Sequence, residues 1–269
     1  MRAFMILSAA AASLVFGQSP ATDGRVLDGI AHVAFRVSNL AASREFYQKL
    51  GFEQAFEFTD ERGVTTSYMK VNDRQFIELY RRDNESQALG LMHICFDASD
   101  LARVRAAYVE RGLKPAEIAK ARAGNLLFSM RDPEGQLLEY TQYLPGSLHS
   151  NERGKHLGER RISGRLQGAS TSVKDLAAER KFYADTLGFA DGGSPAGARL
   201  RVPGSTGEDV ELEAITPDWR PRIDFAVADA KQAANELQQR GLTVRMSGSA
   251  AVARDPDGVS LVFIGPAGR

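Results

Sequence analysis

Two histidines and two glutamates recur at one interval in the first half of this chain. His32 and His93 lie 61 positions apart, and Glu78 and Glu139 lie 61 apart as well. Their surroundings repeat with them: Ile30-Ala31-His32-Val33-Ala34-Phe35 against Leu91-Met92-His93-Ile94-Cys95-Phe96, and Phe76-Ile77-Glu78-Leu79-Tyr80 against Leu137-Leu138-Glu139-Tyr140. A duplicated unit with one early His and one late Glu gathers two imidazoles and two carboxylates if the copies pack about a pseudo-two-fold axis. That donor set suits one divalent first-row metal, Fe, Mn, Co, Ni or Zn. A five- or six-coordinate ion so held keeps one or two positions for adjacent oxygens of a substrate and acts as a Lewis acid. Glu139 or Glu78 could then move a proton as general base. Four polar groups inside apolar runs are also costly to bury unless something pairs with them.

The elements that must position these residues repeat four times. Asn39, Asp100, Asp175 and Asp229 each read as an N-cap, because a short side-chain oxygen accepts from free N–H groups of a first helical turn. A glycine follows each after 12 or 13 positions, at Gly51, Gly112, Gly188 and Gly241, where a helix can end in the left-handed conformation. Between cap and glycine the apolar residues fall on one helical face. Strand-like runs precede the helices at Ile30–Val37, Met92–Asp97, Leu166–Val173 and Ile223–Val227. Matched turns, Arg131-Asp132-Pro133-Glu134-Gly135 and Arg254-Asp255-Pro256-Asp257-Gly258, lead into strands Gln136–Gln142 and Val259–Ile264. Each unit reads as strand, helix, then about three strands, and such a repeat governs the fold.

Composition narrows the function classes. The 269 residues are 43% hydrophobic and 25% charged, enough for a real core in one or two domains. Thirty-four basic residues balance thirty-four acidic ones, so nucleic acid is not the expected partner and a small molecule is. Cys95 is the single cysteine; no internal disulfide can form, and the thiol reads as a small core residue. The start, Met1-Arg2 followed by an apolar stretch to Gly17, reads as a secretory signal over residues 1–23. The mature chain would begin between Gln18 and Asp23, outside the cytoplasm in the periplasm or beyond, with no membrane attachment. An N-terminal domain over 28–144 then carries the metal residues, and a C-terminal domain spans 165–266. The linker, 145–164, is polar and glycine-rich and reads as a solvated crossing. Its His149 and His156 are further candidate ligands or substrate contacts. No feature of the sequence sets an oligomeric state.

The order His-Val-Ala-Phe-Arg-Val…Phe-Tyr…Leu-Gly-Phe, then Ile-Glu-Leu, His-Ile and Asp-Pro-Glu-Gly…Leu-Glu resembles the vicinal oxygen chelate superfamily. That superfamily includes glyoxalase I, methylmalonyl-CoA epimerase, fosfomycin-modifying and bleomycin-binding proteins, and extradiol dioxygenases. The resemblance covers nearly all of the chain after Asp28. It implies an α+β fold of four βαβββ modules in two tandem domains, each sheet curling into an open trough with ligands on its concave face. The order His32, Glu78, His93, Glu139 is similar to that of glyoxalase I, and Arg36 falls where that family carries a substrate-facing arginine. Arg82 stands where a glutathione-binding asparagine is expected, so the glutathione substrate does not carry over. Extradiol dioxygenases also have two such domains, but hold their metal with two histidines and one glutamate in the C-terminal half.

In this chain the second half has lost the ligand pattern. Alignment sets Gly168 opposite His32, Glu211 opposite Glu78, Arg222 opposite His93 and Val262 opposite Glu139. The resemblance implies a metal-dependent lyase or isomerase of the glyoxalase type acting on a small vicinal-oxygen substrate. Two alternatives stand beside it. One is an Fe(II)-dependent extradiol-type dioxygenase using His32, His93 and Glu139. The other is a non-catalytic resistance protein that sequesters a small molecule.

Overall fold

The computed structural model describes residues 27–193 and 197–266; the expected signal segment, 1–23, lies outside the described residues. Four modules of strand, helix and three strands follow one another. The first comprises β1 (Gly29–Val37), α1 (Leu40–Lys49), β2 (Gln54–Thr59), β3 (Thr65–Lys70) and β4 (Phe76–Arg81). The second comprises β5 (Gly90–Asp97), α2 (Leu101–Glu110), β6 (Ala119–Lys120), β7 (Leu126–Arg131) and β8 (Leu137–Gln142). A one-turn helix, α3 (Leu148–Asn151), crosses to the second half. There follow β9 (Leu166–Val173), α4 (Leu176–Lys181), β10 (Ala190–Asp191), β11 (Gly197–Arg201) and β12 (Asp209–Ala214), then β13 (Arg222–Ala226), α5 (Ala230–Gln239), β14 (Val244–Ser247), β15 (Ala250–Arg254) and β16 (Ser260–Ile264).

Each half forms one curled eight-stranded sheet, ordered β2-β3-β4-β1-β5-β8-β7-β6 and β10-β11-β12-β9-β13-β16-β15-β14. The first strands of two modules lie antiparallel at each centre, β1 on β5 and β9 on β13. The last strand of each module pairs parallel with its own first strand. Alternation along β1 sends Val33, Phe35 and Val37 into the core and leaves His32, Ala34 and Arg36 on the other face. The fold is α+β, as the family resemblance implied.

All four caps form. Asn39, Asp100, Asp175 and Asp229 each accept a hydrogen bond from a backbone N–H of the first turn. The spacing of 13 rather than 12 before Gly188 has a structural cause: α4 runs into a π-helical turn over Phe182–Thr186, which takes up one extra residue. At Gly51 φ is +84° and an added Cβ would meet the Arg160 carbonyl at 2.4 Å, so the linker passes directly over that helix end.

Packing pairs the halves about a pseudo-two-fold axis. Phe52, after α1, packs on Phe225 of β13 at 5.3 Å; Phe189, after α4, packs on Phe96 of β5 at 5.4 Å. Such aromatic pairs add about 1 kcal/mol to the burial of their surfaces. The two Asp-Pro turns latch across the same boundary. Tyr183 donates to Asp132 at 3.2 Å and Tyr47 to Asp255 at 3.5 Å. Glu134 accepts from the Lys174 and Asp175 amides, and Asp257 accepts from the Ser38 amide.

Candidate metal centre

His32 and His93 come from antiparallel neighbours, while Glu78 and Glu139 come from the parallel strands outside them. Register does the work: Ala34 opposes both Glu78 and His93, and Cys95 opposes Glu139. Alternation then turns all four side chains to one face at the sheet centre. The Nε2 atoms of His32 and His93 stand 3.1 Å apart. Glu78 approaches His32 at 3.3 Å and His93 at 3.8 Å, and Glu139 approaches His93 at 3.4 Å. All four expected ligands are therefore brought together.

Burial sets the electrostatics. It holds the His93 imidazole down at about 3. His32 is also held well below its ordinary value, by burial first and then by His93 and His149. Burial followed by the Glu139 charge pushes Glu78 up to about 8, and burial raises Glu139 to about 7. Two desolvated neutral imidazoles beside two crowded carboxylates are poorly matched to one another. They fit a divalent cation, which takes neutral nitrogens and relieves the carboxylate repulsion. One atom each of His32, Glu78 and His93 lies within 4.8 Å of the others, as do atoms of His32, Cys95 and Glu139. A common centre at ordinary ligand distances of about 2.1 Å is within reach of such a group.

The carboxylates are held unequally. Tyr80 donates to Glu78 at 2.9 Å and Tyr68 bonds it too. Glu139 has no hydrogen-bond donor among the described residues, and its side chain keeps 17% exposure against 3% for Glu78. The three-ligand face is consequently tightest with Glu78, whereas the dioxygenase alternative was framed on Glu139. Cys95 is fully buried, and burial raises its thiol well above the ordinary range, consistent with a core residue beside the site.

A cavity of about 330 Å³ borders His32, Glu78 and Glu139. Its walls include Phe58, Val64, Tyr68 and Leu127, and Arg62 and Arg122 also line it. Arg36 is not among the lining residues. It shares the His32 face of β1 but lies four residues along, about 13 Å away, and donates to the Ala88 carbonyl at 3.1 Å. His149 corrects a second expectation. It is not solvated but 3% exposed, stacked on Tyr143 at 4.4 Å and bordering the cavity. His156 does lie outside, paired with Glu152 and Glu53. Sequence reasoning missed Tyr68, Tyr80 and Arg122; only Tyr80 had a signal, two residues after Glu78 on the same strand face.

In the second half the register confirms the aligned positions. Ser170 opposes both Glu211 and Arg222, and Asp224 opposes Val262. Gly168 occupies the His32 position. No imidazole stands there.

The sequence model of the Glyoxalase/Bleomycin resistance protein/Dioxygenase superfamily matches residues 29–140. No curated protein sequence matches the chain. Among solved structures, the 2,3-dioxygenase LapB from Pseudomonas sp. KL28 is similar at 16% identity and TM-score 0.68, over 90% of this chain and 94% of that one. The Mn(II)-bound glyoxalase from Novosphingobium aromaticivorans is similar at 16% identity and TM-score 0.67, over 89% and 82%. An extradiol ring-cleaving dioxygenase from B. fuscum is similar at 19% identity and TM-score 0.66, over 91% and 73%. At these identities the likeness establishes the shared fold.

Proposed function

We propose that the protein is a metal-dependent lyase or isomerase, a reading supported by the match of residues 29–140 to the glyoxalase, bleomycin-resistance and dioxygenase superfamily. It moves a proton on a small molecule that carries adjacent oxygens. The observation that carries this reading is the unequal hold on the two carboxylates. A divalent ion bound by His32, Glu78, His93 and Glu139 would polarise the adjacent oxygens and stabilise negative charge developing on them.

The chain's own residues divide the remaining labour. Tyr80 and Tyr68 fix Glu78 in place. Glu139, with no donor among the described residues beyond the His93 imidazole at 3.4 Å and with the larger exposure, is free to turn toward a substrate. It takes a proton from the carbon beside the oxygen and returns it to the neighbouring atom. The apolar wall of Phe58, Val64 and Leu127 keeps bulk water from competing for that proton.

One observation favours a second reading. His32, Glu78 and His93 alone make a compact two-His-one-carboxylate group, the face used by non-haem Fe(II) oxygenases. An extradiol-type dioxygenase would use that face and leave Glu139 off the metal. Metal-reconstituted protein offered 2-oxo compounds and catechols separates the readings, with solvent deuterium uptake and dissolved oxygen followed together. Deuterium exchange that falls by about 100-fold or more in Glu139→Gln supports the lyase or isomerase. Oxygen uptake with catechols and Fe(II), without exchange, moves the assignment to the dioxygenase. Neither signal leaves a binding protein.

A further inference from the structure

The segment joining the halves is fixed against the site rather than draped past it. Lys70, with a fully buried side chain, donates to the Lys155 carbonyl at 2.8 Å and to the Glu152 carbonyl, and pairs with Asp73 at 2.7 Å. The Leu148 amide donates to the Ala123 carbonyl at 2.8 Å, and Ser147 caps α3 through the Ser150 amide. Together these hold α3 between β3 and the β6–β7 loop. They press His149 edge-on against Phe56, Phe76 and Tyr68 at 5.0 to 5.5 Å.

Neither ring nitrogen of His149 has a hydrogen-bond partner among the described residues, although both are buried. A buried imidazole with a donor and an acceptor both unanswered is unfavourable, and native structures rarely keep such groups without a reason. The ring borders the same cavity as His32, Glu78 and Glu139. Both nitrogens are shielded in this conformation, so a ligand oxygen in the cavity would reach one of them once the ring tilts toward the face it borders.

Charge around the same cavity is also unbalanced. Asp60 accepts two bonds from the Arg62 guanidinium at 3.1 and 3.0 Å, and two more from the Arg62 and Val64 amides. Arg122 reaches Asp60 only at 3.7 Å, is 59% exposed, and makes no guanidinium hydrogen bond among the described residues. Asp60 serves both guanidinium groups, so with Glu78 and Glu139 answered by a divalent ion one positive charge would be left over beside the cavity. Guanidinium forks favour carboxylates.

We infer that the cavity takes a small flat carboxylate with adjacent oxygens: His149, supplied by the interdomain segment, hydrogen-bonds one of its uncharged oxygens, and Arg122 takes its negative group. The inference rests on the metal-centre reading for the end of the ligand that meets His32 and Glu78. It extends the site to two residues outside the four-ligand pattern and gives the substrate a charge.

The probes are 5-hydroxy-4-oxopyran-2-carboxylate and its uncharged 2-hydroxymethyl analogue, which share a flat ring with adjacent oxygens. Full-length mature protein is loaded with Mn(II), its metal content is measured before and after titration, and binding is read by calorimetry. The carboxylate probe should bind about tenfold tighter than the neutral one. Arg122→Ala should abolish that preference and leave the neutral probe unaffected. His149→Phe, which keeps the aromatic stacking, should weaken both probes about tenfold with metal content unchanged, and His149→Gln should recover most of the loss. Protein that holds no metal overturns the metal-centre reading and this inference with it. Full metal content overturns the inference alone in any of three cases: the two probes bind equally, neither binds, or His149→Phe binds like the unaltered protein.

Discussion

The two halves solve one electrostatic problem in different ways. Both fold as the same eight-stranded sheet, and both keep a carboxylate at the inner position of the fourth strand, Glu78 in one and Glu211 in the other. In the N-terminal half two imidazoles face that carboxylate, and under the metal-centre reading its cation would come from outside. In the C-terminal half Arg222 replaces His93. It reaches Glu211 at 2.5 Å, Glu213 at 2.8 Å and Asp224 at 2.8 Å. Burial works against its charge, yet Asp224, Glu211 and Glu213 hold its pKa above the ordinary value. The position of His32 is closed as well: a Cβ on Gly168 would meet the Asp209 carbonyl at 2.8 Å. A carboxylate left at this place in the sheet needs a positive partner, and a guanidinium on the chain serves where a metal would otherwise sit.

That comparison breaks most visibly on metal content. His93→Ala should weaken metal affinity by more than about 100-fold, since losing a ligand should cost at least as much as losing the groups that orient ligands. Arg222→Ala should leave content at one per chain. Elemental analysis after dialysis against trace metal decides it. Equal retention by both variants would mean that the N-terminal cluster is not the site.

A smaller effect tests the guanidinium. Arg222→Met takes the closest cation from buried Asp224, while Glu211 keeps Arg199 at 3.5 Å; the loss should cost about 3 kcal/mol and lower the melting temperature by about 6–12 °C. Burial already raises Asp224 above the ordinary carboxylate range, against the pull of Arg222; without Arg222 it rises further. A carboxyl with a raised folded pKa contributes its stability while protonated and loses it as pH rises. The variant should therefore be damaged less at pH 5 than at pH 7.5. A melting temperature unchanged at both would show that the guanidinium balances nothing.

Much of this contrast was legible in the sequence because it depends on strand register. The 61-residue spacing, the four caps and the four aligned positions all concern places that alternation and hydrogen-bonded pairing fix locally. What escaped depended on tertiary packing. His149 lies in a polar segment, and only the grip of Lys70 and a pocket of four aromatic rings bury it. The π turn of the third module was visible only as one surplus residue before Gly188. Arg36 keeps the strand face the pattern assigns but spends its guanidinium on the Ala88 carbonyl.

The two interdomain latches differ in a way that should appear as a modest dependence on pH. Ser43 and Glu179 occupy equivalent places, four residues after the caps Asn39 and Asp175, and both are fully buried. Glu179 accepts from the Glu134 amide at 2.8 Å through one oxygen, while the other has no partner among the described residues. Burial, then Asp132, and further the Glu134 and Asp175 charges push it up to about 7. Since this folded pKa is raised, the group supports folding fully below the ordinary carboxylate range and loses that support as pH rises through about 7. Glu179→Gln keeps the acceptor for the Glu134 amide and has no charge to bury. It should match the unaltered protein at pH 5 and exceed it by about 1 kcal/mol at pH 8. Asp255 of the other latch, raised to about 6 by burial, titrates in both proteins, so the window above pH 6 carries the difference. Denaturant titrations at pH 5, 6.5 and 8 read the slope, with Ser43→Ala as the partner that should not alter it. If Glu179→Gln keeps the full slope above pH 6, the acidic latch is not its source, and the two interfaces are electrostatically alike.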